Sequence, residues 1–336
     1  MKAHSFGDIY TLLGMMPGPD ATAAALWRER EPQLTKPAGS LGRLEEITHM
    51  LATWQGRHPP RLETVRARVY AGNHGVAALG VSAFPAEVTA QMVANFRAGG
   101  AAINQLCQTF GVELAVEALA LDQPTADFTQ GPAMSEEECV DAVRIGMAAA
   151  EEGVDLLVLG EMGIANTTSA AAICHALFGG DPAEWTGRGT GVDDAQLEAK
   201  IKVVAKGVAA NVTDDPLVVL RSVGGRELAA IAGAVLAARL QRIPVILDGY
   251  VCTAAAAVLH AIRRDALDHC LVGHVSVEPG HRRLLERLGK QPLLALDMRL
   301  GEASGAALAV GLVKAAVACH TGMATFAQAG VSDKDG

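Results

Sequence analysis

Aromatic residues are scarce in this chain: Phe, Trp and Tyr together make up 4% of its 336 residues. Proteins that bind single-stranded nucleic acid stack the bases on such rings and surround the backbone with Lys and Arg. This chain carries a net charge of −9 and has no run of basic residues. A polyanion would be repelled by such a surface. We therefore expect no nucleic-acid partner.

Signals for export, for membrane insertion and for metal binding are also missing. Residues 1–8 have neither a basic n-region nor an apolar h-region, and no apolar run approaches the roughly 18 residues of a membrane span. The six cysteines occur singly, which favours free buried thiols over a disulfide framework or zinc. His269, His274 and His281 match no familiar ligand spacing. We expect a cytoplasmic protein with no membrane partner, no metal and no other cofactor.

Alanine and glycine are abundant, and half of the chain is apolar. Short apolar runs without alternation, each followed by a turn of Gly and small polar residues, occur at 154–159, 244–248 and 293–296, and further strand candidates lie at 68–71 and 270–273. Strands of this kind are covered on both faces, as in a parallel sheet. The pattern predicts an α/β fold with a doubly wound, mainly parallel sheet and helices on both faces.

The two ends of the chain differ from this pattern because they look helical and contain no strand signal. We predict a large α/β, Rossmann-like substrate-binding domain over residues 33–302. We predict that residues 1–32 and 303–336 pack together as a small helical domain.

Glu302 is the strongest candidate for catalysis. It follows the apolar run at 293–296 and precedes a helix of small residues. Ligands in doubly wound sheets bind beyond the carboxyl ends of the strands, and Glu161, Asp248, His274 and Asp297 also fall at such ends. A poorly solvated carboxylate has a raised pKa and can act as a base near neutral pH. Glu302 is therefore the predicted general base.

The segment Gly187-Arg-Gly-Thr-Gly191 resembles part of a dinucleotide fingerprint, but it lacks the preceding strand and the third glycine at the required spacing. This weakens a nicotinamide-dependent oxidoreductase as an interpretation. A phosphate cradle is more plausible, with glycine N–H groups, Thr190 and Lys200 around one anion. The acidic pairs at 193–194 and 214–215 each precede a predicted helix, so we interpret them as helix caps rather than magnesium ligands.

Three further segments leave alternatives open. Lys36 to Glu45 could approach an anionic ligand or could be an ordinary loop with a helix cap. His74 could be catalytic, but a hydrogen-bonded structural histidine is the commoner case. Ser82, Phe84 and Gln91 offer a hydroxyl, a ring and an amide suited to a planar heterocycle, or they form a loop that enters a helix.

Eight motifs in series, from about residue 35 to 310, together resemble the nicotinate-nucleotide:dimethylbenzimidazole phosphoribosyltransferase family, which makes the lower-ligand nucleotide of cobalamin. They are Lys36–Glu45, Gly72–Gly75, Gly80–Pro85, Gly160–Thr168, Gly187–Gly191, Val223–Glu227, Leu247–Tyr250 and Asp297–Glu302. The resemblance implies transfer of the phosphoribosyl group of nicotinate mononucleotide to 5,6-dimethylbenzimidazole, giving α-ribazole 5′-phosphate and nicotinate.

The resemblance also implies roles for individual residues. Glu302 falls on the family's general base. The residues that would bind the nucleotide and its phosphate are Glu161, Gly163, Asn166, Thr167, Gly189, Thr190, Lys200, Ser276 and Arg299. Those that would bind the benzimidazole are Ser82, Phe84, Gln91, Met162 and Leu300. The family is homodimeric and needs no metal or cofactor, so the expected partners are the two small substrates and a second copy of the chain.

Two alternatives to transfer onto 5,6-dimethylbenzimidazole remain open. A phosphoribosyltransferase of the same family could use another base or a phenolic acceptor. A non-catalytic nucleotide sensor could have kept the pocket, although a sensor would have little use for a desolvated base at position 302.

Overall fold

Six parallel strands form the central sheet in the computed structural model of the chain, which describes residues 3–332. They are β1 (Val65–Ala71), β2 (Glu113–Ala118), β3 (Leu156–Met162), β4 (Val245–Leu247), β5 (Cys270–His274) and β6 (Pro292–Leu294). Their order across the sheet is β2-β1-β3-β4-β5-β6. This confirms the predicted α/β class and parallel sheet.

Five of these strands coincide with apolar runs identified in the sequence, whereas β2 does not. Its sequence Glu-Leu-Ala-Val-Glu-Ala contains two acids, and its residues are half-buried or exposed because it lies at the edge of the sheet. An edge strand needs apolar residues on one side only, so it lacks the continuous apolar run that marks the central strands.

Fifteen α-helices occur within residues 3–332. They are α1 (Phe6–Gly14), α2 (Ala21–Arg30), α3 (Arg43–Gln55), α4 (Glu87–Ala98), α5 (Ala102–Phe110), α6 (Glu136–Met147), α7 (Asn166–Phe178), α8 (Pro182–Trp185), α9 (Asp194–Ala210), α10 (Pro216–Val223), α11 (Arg226–Leu240), α12 (Tyr250–Ile262), α13 (Pro279–Leu288), α14 (Ser304–Gly322) and α15 (Phe326–Ala329). The acidic pairs are helix caps, as predicted: Asp193 accepts from the Gln196 N–H and Asp215 from the Leu217 N–H.

Helices cover both faces of the sheet. On β3, Leu157 and Leu159 belong to a core formed with α6, α7, α11 and α12. Leu156 and Val158, which point to the other face, belong to a core formed with α3, α4, α5 and α14. The uniform apolar run of β3 is thus explained by burial on both sides.

Small residues allow the layers to approach closely. Where α6 crosses α11, a Cβ on Gly146 would lie 1.8 Å from the Ala230 carbonyl oxygen, and a Cβ on Gly233 would lie 2.0 Å from the Val143 carbonyl oxygen. The two helices therefore touch through their backbones. This contact uses the same small residues that make the composition unusual.

The chain ends contact one another around α14. The Arg30 guanidinium donates to the carbonyl oxygens of His320 and Met323, and Leu34 forms a β-bridge with Thr325. The amino-terminal half of α14, however, lies on the sheet, with Ala306 and Val310 in its core. The division into 33–302 and 1–32 with 303–336 stays a prediction, and residues 1–2 and 333–336 lie outside the described part.

Helix α14 is also long and apolar enough, by length and composition, to cross a membrane, with a mean hydropathy of 1.4. This differs from the expectation that no apolar segment of the chain approaches the length of a membrane span. Many of its residues are buried against the sheet and against α3 and α5, which is the packing of a core helix.

The six cysteines are free, as expected. Five of them are buried, and Cys319 is half-buried.

The backbone contact between α6 and α11 generates a stability prediction. Gly233→Ala should lower the free energy of unfolding by about 1–3 kcal/mol, because the added methyl group overlaps the Val143 carbonyl oxygen. Urea unfolding followed by circular dichroism measures this change. Gly322→Ala is the matched control, since nothing lies within 4 Å of a Cβ at the end of α14 and alanine favours a helix. Equal stability of the two variants would contradict the packing argument.

Candidate active site

A cleft opens at the carboxyl ends of the strands. The chain runs from β1 to β2 on one side of β1 and then to β3 on the other, so the strand order reverses at β1. Open α/β sheets bind ligands in the crevice at this point. The cleft is lined by the loop after β1, by the end of β3 and by segments that follow β4, β5 and β6. It lies at the edge of the sheet where the sequence pattern predicts a ligand.

The fold gathers most of the predicted site residues in this cleft. All of those assigned to the nucleotide line it: Glu161, Gly163, Asn166, Thr167, Gly189, Thr190, Lys200, Ser276 and Arg299. Three of those assigned to the benzimidazole also line it: Ser82, Met162 and Leu300.

Phe84 and Gln91 do not line the cleft. The Phe84 side chain is 49% exposed in the loop after β1. Gln91 is exposed on α4, whose buried residues Thr89, Val93 and Phe96 mark the opposite side of the helix. A role for these two side chains in binding the acceptor stays a prediction.

Glu302 lies directly behind the cleft wall. The residue is 4% exposed, and its neighbour Gly301 lines the cleft while Glu302 does not. Its N–H donates to the Glu161 carbonyl oxygen at 3.2 Å, which ties the segment before α14 to the end of β3. Burial, with a smaller contribution from the nearby Asp248 carboxylate, raises the pKa of Glu302 to about 7. The carboxyl group is therefore buried beside the cleft rather than bathed in solvent.

The backbone around Glu302 is strained. Gly301, Glu302 and Ala303 have φ values of 84°, 63° and 66°, in the left-handed region that non-glycine residues rarely adopt. Such conformations cost about 1–3 kcal/mol each and persist where the surroundings fix them. Here Gly160 on β3 has no side chain, and a Cβ there would lie 2.2 Å from the Ala303 nitrogen. Close contact with β3 thus holds Glu302 in place.

Glu161 and Asp248 complete a cluster of buried acids. Burial is the main cause that raises the pKa of Glu161 to about 8. A hydrogen bond from the Asn166 amide lowers this pKa, and repulsion from the carboxylates of Asp248, Glu227 and Glu302 raises it. Burial also raises the pKa of Asp248 to about 7, while the Ala306 N–H donates to its Oδ1 at 2.8 Å. The second oxygen, Oδ2, has no hydrogen-bond partner among the described residues. The three groups repel one another when charged, so protons are retained here near neutral pH.

A buried lysine also lines the cleft. Lys200 is 1% exposed, and its Nζ donates to Thr167 Oγ1 at 2.7 Å and to the Gly187 carbonyl oxygen at 3.0 Å. Burial lowers the pKa of Lys200 to about 8, against the opposing effect of Glu278. Gly189 is adjacent to the Lys200 ammonium group: a Cβ on Gly189 would lie 3.5 Å from Nζ. A lysine so poorly hydrated is suited to an anion.

Several residues of the cleft were not among the predicted site residues: Arg188, Tyr250, His274 and Glu278. Arg188 is part of the glycine segment, and His274 was recognised only as a residue at a strand end. No sequence pattern connects Glu278 with Gly189, although the Gly189 N–H donates to its carboxylate.

Behind the cleft lies a hydrogen-bonded chain of Ser169, His74 and Glu227. Ser169 Oγ is 3.0 Å from His74 Nδ1, and Glu227 Oε1 is 2.5 Å from His74 Nε2. All three side chains are buried, and none lines the cleft. A hydrolytic triad needs a serine that substrate can reach, and Ser169 is buried away from the cleft. We therefore interpret these three hydrogen-bonded side chains as structural, which agrees with the commoner role expected for His74.

Within residues 3–332, no group of three or more His, Cys, Asp or Glu side chains is arranged to hold a metal ion.

The acid cluster generates a pH prediction. Because the folded-state pKa values of Glu161, Asp248 and Glu302 are raised, these three groups bind more protons in the folded protein than in the unfolded chain between about pH 5 and 8. Their contribution to stability should therefore fall as the pH rises through this window, whereas buried histidines with lowered pKa values, such as His269 and His281, act in the opposite direction. Glu161→Gln should gain stability relative to the parent as the pH rises, because the amide cannot ionise yet can still accept from Asn166.

Urea unfolding at several pH values between 5 and 8.5 measures the effect. Glu286→Gln, an exposed position on α13, removes the same charge and should leave the slope unchanged. A difference in stability between Glu161→Gln and the parent that stays constant or decreases as the pH rises would refute the cluster's contribution.

The chain is similar to known proteins along almost its whole length. A family model described as Phosphoribosyltransferase matches residues 16–331. Relatives named nicotinate-nucleotide–dimethylbenzimidazole phosphoribosyltransferase are found in Ruegeria sp. (strain TM1040), at 60% identity with 98% of each chain covered, and in Ruegeria pomeroyi, at 62% identity with 96% of each covered. The crystal structure of CobT from Thermus thermophilus superposes with a TM-score of 0.88 at 44% identity, covering 93% of this chain and 99% of that one.

These similarities agree with the eight motifs and with the parallel sheet. The chain belongs to the nicotinate-nucleotide–dimethylbenzimidazole phosphoribosyltransferase family and is a pentosyltransferase.

Proposed function

We propose that this protein transfers the phosphoribosyl group of nicotinate mononucleotide to 5,6-dimethylbenzimidazole, giving α-ribazole 5′-phosphate and nicotinate with inversion at the anomeric carbon. The names of its relatives state this donor and this acceptor. The observation that carries the proposal is one cleft that is lined by the buried Glu161 and the buried Lys200, with Glu302 and Asp248 buried beside it. Such a cleft suits a substrate with a cationic ring at one end and a phosphate at the other.

The acids suit the donor's charge. In nicotinate mononucleotide the ring nitrogen bonded to ribose is cationic, and C1′ gains positive charge as that bond breaks. A cation beside Glu161 favours its carboxylate form and lowers its raised pKa, so binding of the donor charges the group that stabilises the transition state. Nicotinate departs with the bonding electron pair on its ring nitrogen and needs no acid to protonate it.

Glu302 takes the proton in this scheme. The acceptor attacks C1′ with the lone pair of one ring nitrogen, which makes the N–H on its other nitrogen acidic. A carboxyl group with a pKa of about 7 is half ionised at neutral pH and well matched to receive this proton. Its position next to Gly301, a residue of the cleft wall, supports this role.

The phosphate end is assigned to Lys200, Thr167, Gly189, Thr190 and Ser276, with Arg299 nearby. A bound dianion favours the charged form of Lys200, whose pKa burial lowers to about 8. Fixing the phosphate orients C1′ between the leaving ring and the acceptor. Orientation of two reactants in this way accounts for a large part of the acceleration in bimolecular transfers.

The acceptor would lie against Ser82, Met162 and Leu300, which line the cleft, whereas Phe84 and Gln91 are exposed. Because these two predicted contacts do not enclose the acceptor, another base or a phenolic acceptor is the second candidate. The buried acids argue against a non-catalytic sensor, because nucleotide binding alone does not require desolvated carboxyl groups. A homodimer in the cytoplasm stays a prediction.

Incubation with nicotinate mononucleotide and a panel of acceptors tests the reaction. We expect nicotinate release with 5,6-dimethylbenzimidazole and formation of α-ribazole 5′-phosphate, both followed by liquid chromatography. Release with adenine or phenol alone would shift the assignment to the second candidate. No release with any benzimidazole would overturn the proposal.

Replacing the base gives a separate prediction. Glu302→Gln should lower kcat by about 10²- to 10⁴-fold, because the amide cannot accept the proton, while binding of nicotinate mononucleotide is largely kept. In the parent enzyme kcat should rise with pH through about 7 as Glu302 ionises, and this rise should vanish in the variant.

Asp297→Asn is the matched control. Asp297 is exposed, lies in the same segment and has a φ of 53°, which asparagine tolerates. Its turnover should stay near that of the parent. Unchanged turnover in Glu302→Gln would remove Glu302 from its role.

A further inference from the structure

Glu278 is a buried carboxylate inside the cradle assigned to phosphate. It precedes α13, is 6% exposed and lines the cleft together with Gly189 and Lys200. Its Oε1 accepts from the Gly189 N–H at 2.7 Å, and its Oε2 is buried without a hydrogen-bond partner in the described part of the chain. An acid at this point opposes the binding of an anion.

The surroundings hold this carboxylate against the glycine segment. A Cβ on Gly187 would lie 2.3 Å from Glu278 Oε2, so glycine is required for the acid to fit. Lys200 Nζ donates to Thr167 and to the Gly187 carbonyl oxygen rather than to Glu278. The acid thus takes a backbone donor of the cradle and leaves the lysine available.

We propose that Glu278 competes with the phosphate group of the substrate for the Gly189 N–H and thereby sets how tightly the cradle binds phosphate. The proposal rests on the proposed function, since it assigns the cradle to the nucleotide's phosphate. A phosphate that approaches Gly189 must displace the carboxylate from its hydrogen bond. This cost is the same for a free phosphate ion and for the nucleotide.

The consequence is a lower affinity of the cradle for any phosphate-bearing ligand. The nucleotide has further contacts through its ribose and ring, so it still binds. A free phosphate ion has only the cradle, so its absolute occupancy of the empty site is low. Because the cost is the same for both ligands, the ratio of their affinities does not change.

Glu278→Gln tests this mechanism, because the amide oxygen keeps the hydrogen bond from Gly189 and the negative charge is lost. The dissociation constant for inorganic phosphate, measured by calorimetry at pH 6.5, should fall by about tenfold, the order expected when one like charge close to an anion is removed. At this pH Lys200 is protonated, since burial lowers its pKa only to about 8. The KM for nicotinate mononucleotide should fall by a similar factor, with the KM for the acceptor unchanged.

Two further variants keep the test decisive. Glu198→Gln removes the same charge from an exposed position on α9 and should leave phosphate affinity unchanged. Glu278→Ala leaves the Gly189 N–H without its partner and should also bind phosphate more tightly. Thermal unfolding of each variant verifies that it is folded.

Phosphate affinity that is unchanged or weaker in both variants at position 278 would overturn the proposal, as would a change confined to the acceptor's KM. Phosphate binding needs no turnover. If the parent releases no nicotinate with any acceptor and Glu278→Gln still tightens phosphate binding, the transfer reaction is wrong and the competition stands.

Discussion

The close contact between the segment 301–303 and strand β3 is the constraint on which the site depends. Gly160 leaves no room for a side chain, so the backbone of Ala303 lies against the strand and Glu302 is held in a left-handed conformation. This contact brings Glu302 near Glu161 and Asp248 and removes all three from water. Burial is the main cause of all three raised pKa values, and repulsion from neighbouring carboxylates adds to it for Glu161 and Glu302. Strained backbone and unfavourable charge are thus concentrated at one place, and the surrounding α/β core supplies the stability that tolerates them.

Buried groups of both signs surround the cleft. The acids lie at the tips of β3 and β4 and before α14, whereas Lys200 extends from α9 and contacts the first turn of α7. These groups are poorly hydrated, so a charged substrate group close to any of them meets a strong field. Glu278 modifies this pattern because it introduces an acid beside Gly189, which adjoins Lys200. The arrangement suits a substrate that carries opposite charges at a fixed separation better than it suits a lone ion.

Much of this architecture could be predicted from the sequence because burial on both faces imposes a simple pattern. The uniform apolar runs identified β1, β3, β4, β5 and β6, and the position of Glu302 after the last run predicted its burial. Strand β2 could not be found in this way, since an edge strand tolerates Glu113 and Glu117. The positive φ of Glu302 and the exposure of Phe84 depend on how segments meet in three dimensions. The role of Glu278 could not be predicted either, because its hydrogen-bond partner Gly189 is 89 positions away along the chain.

Helix α14 joins distant parts of the molecule. It starts two residues after Glu302, and its last turn carries His320, which contacts Glu31 near the other end of the chain. A helix of 19 residues is a stiff rod about 28 Å long. Rocking such a rod by about 2° displaces one tip relative to the other by about 1 Å, given this length. Glu302 and the contact between His320 and Glu31 are therefore linked through one stiff helix, so a tilt of α14 at its far end would also shift the segment that carries Glu302.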